Sequence, residues 1–415
     1  MRIIQSIVGW VLVAMVIYNC TSRDQTQVAP APTDGTRIVC STEIGIGNKL
    51  KLKLAGRSNS IWIDLNNNGS YDSGEKGITG DDYTSYTVAS KDFTIYGDVT
   101  MLDCSNNRLT KLDLQHNTNL TDLVCSSNKL TSLDLSQQTD LQTLDCEHNK
   151  LVTLIFGNNK MLTSVKMHCN DVEFLDLSLL PKLTYLDCSL NHLTRLNVQK
   201  NADLEYLDCA FNDIKVLDVR NNAELMTLEC EGSGLYELDV TANLALERLG
   251  CAGNNLSTID LTKNKKLLSL NIAKNRFEQI NLMGNLLLTE LDCSYNRFKT
   301  LTTNWSVKLE KLNCSHNQLT SLSVQTNIHL KSIWCFNNKL SESEMERFVN
   351  SLPTVSYDIT THSGDFIAVN HSDSQEANEC TTANVLRAFQ KGWITYDYNG
   401  AAENKIEFEG LPNCY

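Results

Sequence analysis

The sequence predicts a solenoid of short stacked coils, mainly parallel β-structure with little helix. Three observations carry this prediction. A cysteine recurs at multiples of 21 residues through most of the 415-residue chain. The residue two before each of these cysteines is apolar, and the residue three after it is almost always asparagine. One such coil cannot bury its apolar residues alone, whereas stacked coils share one continuous core.

The repeat runs without insertion as twelve units of 21 residues, over residues 99–350. Met167 and Ile272 occupy two steps of the cysteine row, and Ser233 is the single exception in the asparagine row. The ten cysteines of the row are Cys104, Cys125, Cys146, Cys188, Cys209, Cys230, Cys251, Cys293, Cys314 and Cys335. The segment "LxxLxC" alternates like a strand with one inward face. The asparagine amide would then satisfy backbone groups at the following turn.

Each unit returns through a second apolar pair, such as Leu217 with Val219. A coil of 21 residues leaves no room for a full helix on this return leg. We therefore expect a second short extended segment and a flat coil with two β-like sides.

These units match the leucine-rich repeat pattern "LxxLxLxxNxL". They resemble bacterial surface proteins of the internalin J type, whose repeats carry "LxxLDCSxNxLTxLDLSxN". The resemblance covers about 250 residues. It implies a right-handed leucine-rich repeat solenoid, a stacked cysteine ladder and a role in attachment, and it names no ligand.

The cysteine row is expected to hold buried free thiols. Neighbouring side chains in register run parallel instead of facing each other, which is poor geometry for a disulfide. Metal binding by the row is also disfavoured, because Met167 and Ile272 replace cysteine without breaking register. Cys188 and its equivalents are therefore interpreted as small, polarizable core residues.

The N-terminus carries an apolar run over residues 3–17 that is typical of an export signal. Its end resembles a bacterial lipoprotein signal with Cys20 as the lipidated residue, although the two preceding residues are larger than usual. An uncleaved anchor, or cleavage elsewhere, remains the alternative. We expect a signal over 1–19, a linker over 20–35, and an outer-membrane lipoprotein at the cell surface or on the periplasmic face.

Residues 36–98 lack the repeat and alternate like strands, which predicts a small β cap on the first coil. Inside it, "DLNNNGSYDSGE" fits the calcium-loop pattern D-x-[DN]-x-[DN]-G-x5-E. The expected oxygen ligands are Asp64, Asn66, Asn68, Ser70, Asp72 and Glu75, with Ser70 contributing its backbone carbonyl. A strand instead of a helix precedes the loop, so we expect structural calcium without an EF-hand pair. A polar turn without metal is the alternative.

The repeat stops after Leu340, and residues 351–415 are expected to form a small α/β cap that resembles the cap of leucine-rich surface proteins of the Bacteroidetes type. "SESEMERFVNSLP" predicts a helix with a capping box from Ser341 and Glu344, and "CTTANVLRAFQKGW" predicts a second helix. Cys380 and Cys414 lie outside the ladder. They are candidates for a disulfide, with free thiols as the alternative.

Composition and motifs exclude several functions. The formal net charge of −13 disfavours nucleic-acid binding, which depends on basic residues that neutralise phosphates. No Ser-His-Asp or Cys-His signature and no glycine-rich phosphate loop is present. We therefore expect a protein that is not an enzyme.

Four potential metal ligands coincide in two successive units. "CEHN" and "MHCN" lie one repeat apart, so Glu147 and His168 share one row, and His148 and Cys169 share the next. Neighbouring strands are about 4.8 Å apart, close enough for these side chains to converge on a transition metal. Variable surface residues without a metal are the alternative.

The outward rows of the main sheet are the predicted recognition surface. Tyr185 and Tyr206 should stack one coil apart, beside a row of carboxylates and two apolar residues at the turn. The candidate residues are Tyr185, Asp187, Leu190, Tyr206, Asp208, Phe211 and Glu229. Stacked aromatics and carboxylates on a concave sheet suit a protein or glycan ligand. The resemblance to the internalin J type implies that the ligand is a host or bacterial surface protein and that the process is adhesion. A glycan ligand, a structural envelope role without soluble ligand, and plain surface packing remain alternatives.

Overall fold

A computed structural model describes residues 35–57, 61–355, 364–401 and 405–408. The strands before and within the first repeat are β1 Arg37–Thr42, β2 Lys49–Gly56, β3 Trp62–Asp64, β4 Thr84–Thr87, β5 Asp92–Tyr96, β6 Val99–Asp103 and β7 Leu109–His116. The next are β8 Asp122–Val124, β9 Ser132–Leu135, β10 Thr143–Asp145, β11 Thr153–Phe156, β12 Ser164–Lys166, β13 Tyr185–Asp187, β14 Tyr206–Asp208, β15 Thr227–Glu229 and β16 Arg248–Gly250. The remaining elements are β17 Ser269–Asn271, β18 Glu290–Asp292, β19 Lys311–Asn313, β20 Ser332–Trp334, α1 Glu342–Ser351, β21 Gly364–Val369, α2 Thr382–Gln390, β22 Trp393–Asp397 and β23 Ile406–Glu407.

One parallel sheet runs the length of the repeats and confirms the predicted solenoid. It contains β6, β8, β10 and β12 to β20, each paired with the equivalent strand of the next coil. The register is the 21-residue period itself, as in the pairing of Leu186 with Leu207. Every residue of one row therefore lies beside its equivalent in the neighbouring coils.

The cysteine ladder lies in the core under this sheet. All ten row cysteines have a solvent exposure of 0%, and so do Met167 and Ile272. The row cysteines are free thiols. Burial raises the pKa of each thiol, as at Cys188, and keeps it neutral and unreactive.

The asparagine after each strand is bonded as the sequence predicts. The Asn212 amide donates to the carbonyls of Cys188, Cys209 and Ala210 at 3.0, 3.1 and 3.3 Å. Its oxygen accepts from the N–H of Leu193 at 2.9 Å. One side chain thus satisfies four buried backbone groups in two coils, which stabilises the turn and joins the coils.

A second amide ladder lies at the end of the return leg. The Asn222 amide donates to the carbonyls of Val198 and Asn201 at 3.0 and 2.7 Å. Equivalent bonds are made by Gln138, Asn159, Asn201, Asn243, Asn264, Asn285 and Asn327. The repeat pattern has an asparagine at this position in most units, but the sequence analysis did not predict that these side chains form a second hydrogen-bonded ladder.

The return leg differs from the predicted second β side. Among the repeat legs described, only β9 and β11 pair as parallel strands, and β7 joins β1 of the N-terminal cap instead. In later coils, carbonyls of the leg such as Val198 accept from the amide ladder and from turn N–H groups. In these coils, such hydrogen bonds take the place of the strand-to-strand bonds that a second sheet would make.

Both ends of the solenoid are capped as predicted. Strand β2 pairs antiparallel with β6 and covers the first edge of the main sheet. At the other end, β21 and β22 extend the sheet in parallel and β23 closes it antiparallel. The described part of the chain contains no helix with the length and apolar character to cross a membrane.

The capping box predicted for the first helix is wrong. Ser341 is the N-cap of α1, but its side chain makes no capping bond, and Glu344 pairs with Arg347. The capping box is instead at α2, where Thr381 and Asn384 bond reciprocally. Asparagine is outside the usual Glu/Gln pattern at this position, so the sequence rule missed it.

Replacing Asn212 tests the ladder. We expect Asn212→Ala to lower the free energy of unfolding by about 2–4 kcal/mol, because several buried backbone groups lose their partner. Asn212→Ser should cost less, since Ser233 occupies this position in the next coil and still donates to a ladder carbonyl. Denaturant titration measures both variants.

The control is Asn221→Ala, whose exposed amide makes a single bond to Gln199 at 3.3 Å. It should leave the unfolding midpoint nearly unchanged. Equal loss in the Ala and Ser variants of Asn212, or no loss in either, would contradict the ladder's role.

Candidate functional site

The outward rows of the main sheet present the predicted recognition residues. Leu190 and Phe211 lie two residues after a ladder cysteine and have φ values of 52° and 54°. Their side chains are 48% and 58% exposed. The chain turns inward at the next residue, the ladder asparagine, and this turn holds the whole row in the left-handed backbone conformation. Leu190 and Phe211 thereby point to solvent. The equivalent positions in the next two coils are Gly232 and Gly253.

Tyr185 and Tyr206 stack as predicted. Their ring centroids are 4.3 Å apart and the ring planes differ by 4°. Both side chains are half-buried, and burial raises the pKa of each hydroxyl. The pair is therefore a fixed neutral aromatic surface that loses little conformational freedom when a ligand binds.

The carboxylates beside the tyrosines make local hydrogen bonds. Asp187 accepts from the N–H of Ser189 at 3.1 Å, and Asp208 accepts from the N–H of Ala210 at 3.0 Å. Glu229 instead accepts from Arg248 Nε at 3.0 Å. Asp208 and Glu229 each retain an oxygen for other partners, whereas Asp187 Oδ2 lies 3.3 Å from His168 Nδ1. The local bonds therefore leave Asp208 and Glu229 available for recognition.

Burial gives two of these carboxyls unusual pKa values. Desolvation, opposed by the bond from Ala210 and reinforced by Asp187 and Glu231, raises the pKa of Asp208 to about 6. Desolvation and Glu231 raise the pKa of Glu229 to about 7, against the lowering effect of Arg248. This part of the face therefore changes charge near neutral pH.

An open groove of about 870 Å³ brings most of the predicted residues together. Leu190, Tyr206, Asp208, Phe211 and Glu229 line it, whereas Tyr185 and Asp187 do not, although they lie in the same coil as Leu190. The sequence analysis did not predict the rest of the lining, which includes Glu231, Gly232, Arg248, Gly250, Gly253, Asn271, Asp292 and Tyr295.

Glycines make the floor of this groove. A Cβ on Gly250 would lie 1.8 Å from Glu229 Oε2 and 2.3 Å from Glu231 Oε1. A Cβ on Gly232 would lie 2.8 Å from the ring of Phe211. The missing side chains let the two carboxylates and the ring fold over the sheet. The sequence does mark this position: Gly250 precedes the ladder cysteine in "LGC", whereas most other units have an acidic or amide residue there.

A second aromatic group follows the groove toward the C-terminus. Tyr295 stacks on His316 with ring centroids 3.8 Å apart, and His316 contacts Phe336 edge-on at 5.2 Å. Phe336 then stacks on Tyr398 of the C-terminal cap at 4.4 Å. Tyr295 is four coils beyond Phe211, about 19 Å at the usual strand spacing. The groove thus has aromatic side chains at both ends.

The calcium-like loop between β3 and β4 closes on two buried carboxylates. Asp64 is 0% exposed and accepts from the N–H groups of Asn68 and Gly69 at 3.0 and 2.8 Å. Glu75 is 3% exposed and accepts from the N–H of Leu65 at 2.8 Å. The first and last predicted ligands therefore fix the two ends of the loop.

The middle of the loop is exposed, and two asparagine side chains there point to Asp72. The Nδ2 atoms of Asn66 and Asn68 both lie 2.8 Å from Asp72 Oδ2, and these bonds lower the pKa of Asp72. Ser70 donates its N–H to Asn68 Oδ1 at 2.7 Å. Rotating the two asparagine amides by a half-turn would direct their oxygens toward Asp72, with loss of the bonds that these oxygens accept from backbone N–H groups. The residue types of the loop, carboxylates and amides, are the oxygen donors that a hard cation takes.

The other predicted site residues divide into two groups. Glu147, His148, His168 and Cys169 lie together in the two coils before Tyr185. Cys380 is buried, but Cys414 and Cys20 lie outside the described residues. Both the disulfide and the lipidation therefore stay predictions.

The raised pKa values predict a pH-dependent contribution to stability. Asp208 and Glu229 have folded pKa values of about 6 and 7 against ordinary values of 3.8 and 4.5. Between the ordinary and the raised pKa values, the folded chain binds more protons than the unfolded chain. The free energy of unfolding that these two groups contribute therefore falls as pH rises through this range. Relative to the wild type, Asp208→Asn with Glu229→Gln should gain stability from about pH 4 to about pH 7.

Asp260→Asn is the control of opposite sign. The hydroxyl and N–H of Thr262 lower the pKa of Asp260, so its contribution is present above the ordinary value and lost at lower pH. This variant should lose stability relative to the wild type as pH rises through about 4. Denaturant titrations over the pH range measure both, and parallel curves for the double variant and the wild type would contradict the pKa assignment.

No protein-family model and no curated protein matches this chain. Among solved structures, the functional domain of InlJ from Listeria monocytogenes, which includes a cysteine ladder, is 36% identical with a TM-score of 0.50. The match covers 58% of this chain and 50% of that one, so this chain spans about half the length of the InlJ domain.

Two further structures show the same fold at lower identity. An internalin (inlF) of L. monocytogenes is 21% identical with a TM-score of 0.52, over 61% of this chain and 78% of that one. The leucine-rich effector protein YopM of Yersinia pestis is 24% identical with a TM-score of 0.52, over 58% and 72%. The chain is therefore a leucine-rich repeat solenoid with a cysteine ladder, similar in fold to internalins and, in its repeat sequence, to InlJ.

Proposed function

We propose that this chain is a non-enzymatic protein of the cell envelope that binds a macromolecule in the groove of its main sheet. The ligand class is a protein on a host or bacterial surface, and the process is adhesion. The observation that carries the proposal is the open groove between two aromatic groups, Tyr206 with Phe211 at one end and Tyr295 at the other.

The chemistry of the groove favours a protein ligand. Tyrosine and phenylalanine are enriched at the centres of protein interfaces, where they form buried anchors. Asp208, Glu229, Glu231 and Asp292 line the groove against Arg248 and Lys274, an excess of acid that matches the net charge of −13. A partner with lysine or arginine beside apolar side chains would be complementary.

A glycan ligand is the first alternative. Stacking of a sugar needs an accessible aromatic face, and the facing sides of Tyr185 and Tyr206 are closed by each other at 4.3 Å. Phe211 and Tyr295 remain available, at 58% and 47% exposure. A structural envelope role without soluble ligand is the second alternative, and exposed aromatics lining a groove do not favour it.

Export and anchoring complete the proposal. The N-terminal signal would direct the chain across the inner membrane, and a lipid on Cys20 would hold it at the outer membrane. The repeats would then stand away from the membrane on the linker over residues 20–35, with the groove free to meet a partner on the cell surface.

Calcium is proposed as a structural cofactor of the N-terminal cap. Asp64, Asn66, Asn68, Asp72 and Glu75 would supply side-chain oxygens and Ser70 its carbonyl. The ion would join the end of β3 to the segment that leads to β4, and so stabilise the cap that covers the first coil.

Removing the aromatic anchors tests the groove. Labelled full-length chain should bind host or bacterial cells saturably, with binding lost after protease treatment of those cells. The triple variant Tyr185→Ser, Tyr206→Ser, Phe211→Ser should bind at least about 30-fold more weakly, because buried aromatic anchors contribute about 2 kcal/mol or more. Its melting temperature should be nearly unchanged. Flow cytometry measures the binding.

The matched control is Phe174→Ser with Tyr236→Ser, which removes exposed aromatics on the return leg, away from the groove. It should bind as the wild type does. Equal binding by the groove variant and the control would contradict the proposal. Protease-resistant, glycosidase-sensitive binding would support the glycan alternative, and absence of saturable binding the structural one.

Calcium titration tests the cofactor. Calcium at about 100 times its dissociation constant should stabilise the cap by about 2.7 kcal/mol, and magnesium should do so less. Asp72→Asn with Glu75→Gln should abolish the shift, whereas Asp81→Asn with Asp82→Asn, two exposed acids outside the loop, should retain it. Thermal unfolding with and without chelator measures this, and a shift that survives in the loop variant would contradict the site.

A further inference from the structure

We propose that His148, His168 and Cys169 bind one divalent transition-metal ion of the zinc type at the edge of the main sheet. The site lies in the two coils before Tyr185 and is separate from the groove. It shares no residue with the groove lining, and its nearest link to the recognition face is Asp187.

The donor atoms of these three residues already lie close together. The two histidine nitrogens and the cysteine sulfur are all within 4.8 Å of one another. The Nε2 atoms of His148 and His168 are 3.2 Å apart. Two nitrogen ligands of a tetrahedral zinc ion, each about 2.0–2.1 Å from the metal, lie roughly 3.3 Å apart. The histidine pair therefore has the separation that a shared ion requires.

The backbone holds two of the ligands side by side. His148 and Cys169 occupy the same row in successive coils, with φ values of 51° and 54°. His148 donates its N–H to the carbonyl of His168 at 3.0 Å, and Cys169 donates to Ser189 at 3.2 Å. Neither backbone position has to move for the side chains to meet an ion, since the solenoid itself sets their spacing.

The surroundings of His168 match a metal-binding histidine. Its Nδ1 atom is buried and makes no hydrogen bond, but it has two carboxylate oxygens nearby, Glu147 Oε2 at 3.2 Å and Asp187 Oδ2 at 3.3 Å. Carboxylates on one ring nitrogen favour the tautomer that directs the other nitrogen to a metal. Glu147, one of the four ligands that the sequence suggested, therefore orients His168 and is not itself part of the close ligand cluster.

The local charge also favours a cation. Among the described residues, the ion pairs of Glu147 and Asp187 are with His168 alone. Lys166, on the neighbouring strand, instead places its ammonium group 6.0 Å from the centre of the Tyr185 ring.

The three ligands leave one coordination position open. His148 is exposed and Cys169 is half-buried, so the fourth position of a tetrahedron would face solvent. Water or a side chain of a partner could occupy it. Two histidines and one thiolate suit zinc better than calcium or magnesium, which prefer oxygen ligands.

Cobalt provides the spectroscopic test. The purified full chain, stripped with a chelator and reduced, should bind one equivalent of Co²⁺ with the visible bands of a tetrahedral ion and a thiolate-to-metal charge-transfer band. Zn²⁺ should displace it. His148→Ala and His168→Ala should each weaken binding by at least about 100-fold, and Glu147→Gln with Asp187→Asn by about 10–100-fold. Cys169→Ser should lose the charge-transfer band.

His192→Ala is the matched control, because this exposed histidine lies 3.7 Å from Asp171 in a similar ion pair outside the cluster. It should bind cobalt as the wild type does. The proposal is overturned by an octahedral spectrum, by a charge-transfer band that persists in Cys169→Ser, or by equal affinity in His148→Ala. His148 is exposed, so that variant should fold even if His168→Ala does not.

Discussion

The bonds of the buried asparagine side chains determine the rest of this structure. Each coil turns inward after its strand and leaves carbonyl and N–H groups that water cannot reach. One amide satisfies them in its own coil and the one before, as Asn212 does for Cys188 and Cys209. An insertion in any coil would move this amide away from its partners. The period of 21 residues is therefore a hydrogen-bonding requirement as much as a packing one.

The same constraint creates the functional surface. Because the turn fixes a left-handed residue before each asparagine, the side chain at that position points outward from the core, and in most coils it is at least partly exposed. Leu190, Phe211 and Tyr295 occupy it around the groove, and His148 and Cys169 occupy it at the proposed metal site. The core rows carry stability and the outward rows are free to vary. Recognition and metal binding can therefore differ between coils of one scaffold without altering the fold.

The strict period made much of the molecule predictable. Residues 21 apart become neighbours, so the buried ladder and the Tyr185–Tyr206 stack could be derived from spacing alone. The period does not predict the direction in which a flexible acidic side chain points. Glu229 and Glu231 can lie over Gly250 only because this residue has no Cβ. Phe336 contacts Tyr398 only because the C-terminal cap continues the main sheet. Both are contacts that no repeat pattern encodes.

Cysteine shows how the rows decide the chemistry of one residue type. In the ladder it packs at 0% exposure, its thiol pKa is raised by burial, and Met167 or Ile272 can replace it. What the ladder needs is a compact apolar side chain, not a reactive sulfur. Cys169 lies two residues after the row, at a turn, within reach of two imidazoles. There the apolar contacts of the core are missing, and polar ligands replace them. Among the described thiols, Cys169 is thus the one whose surroundings favour coordination over packing.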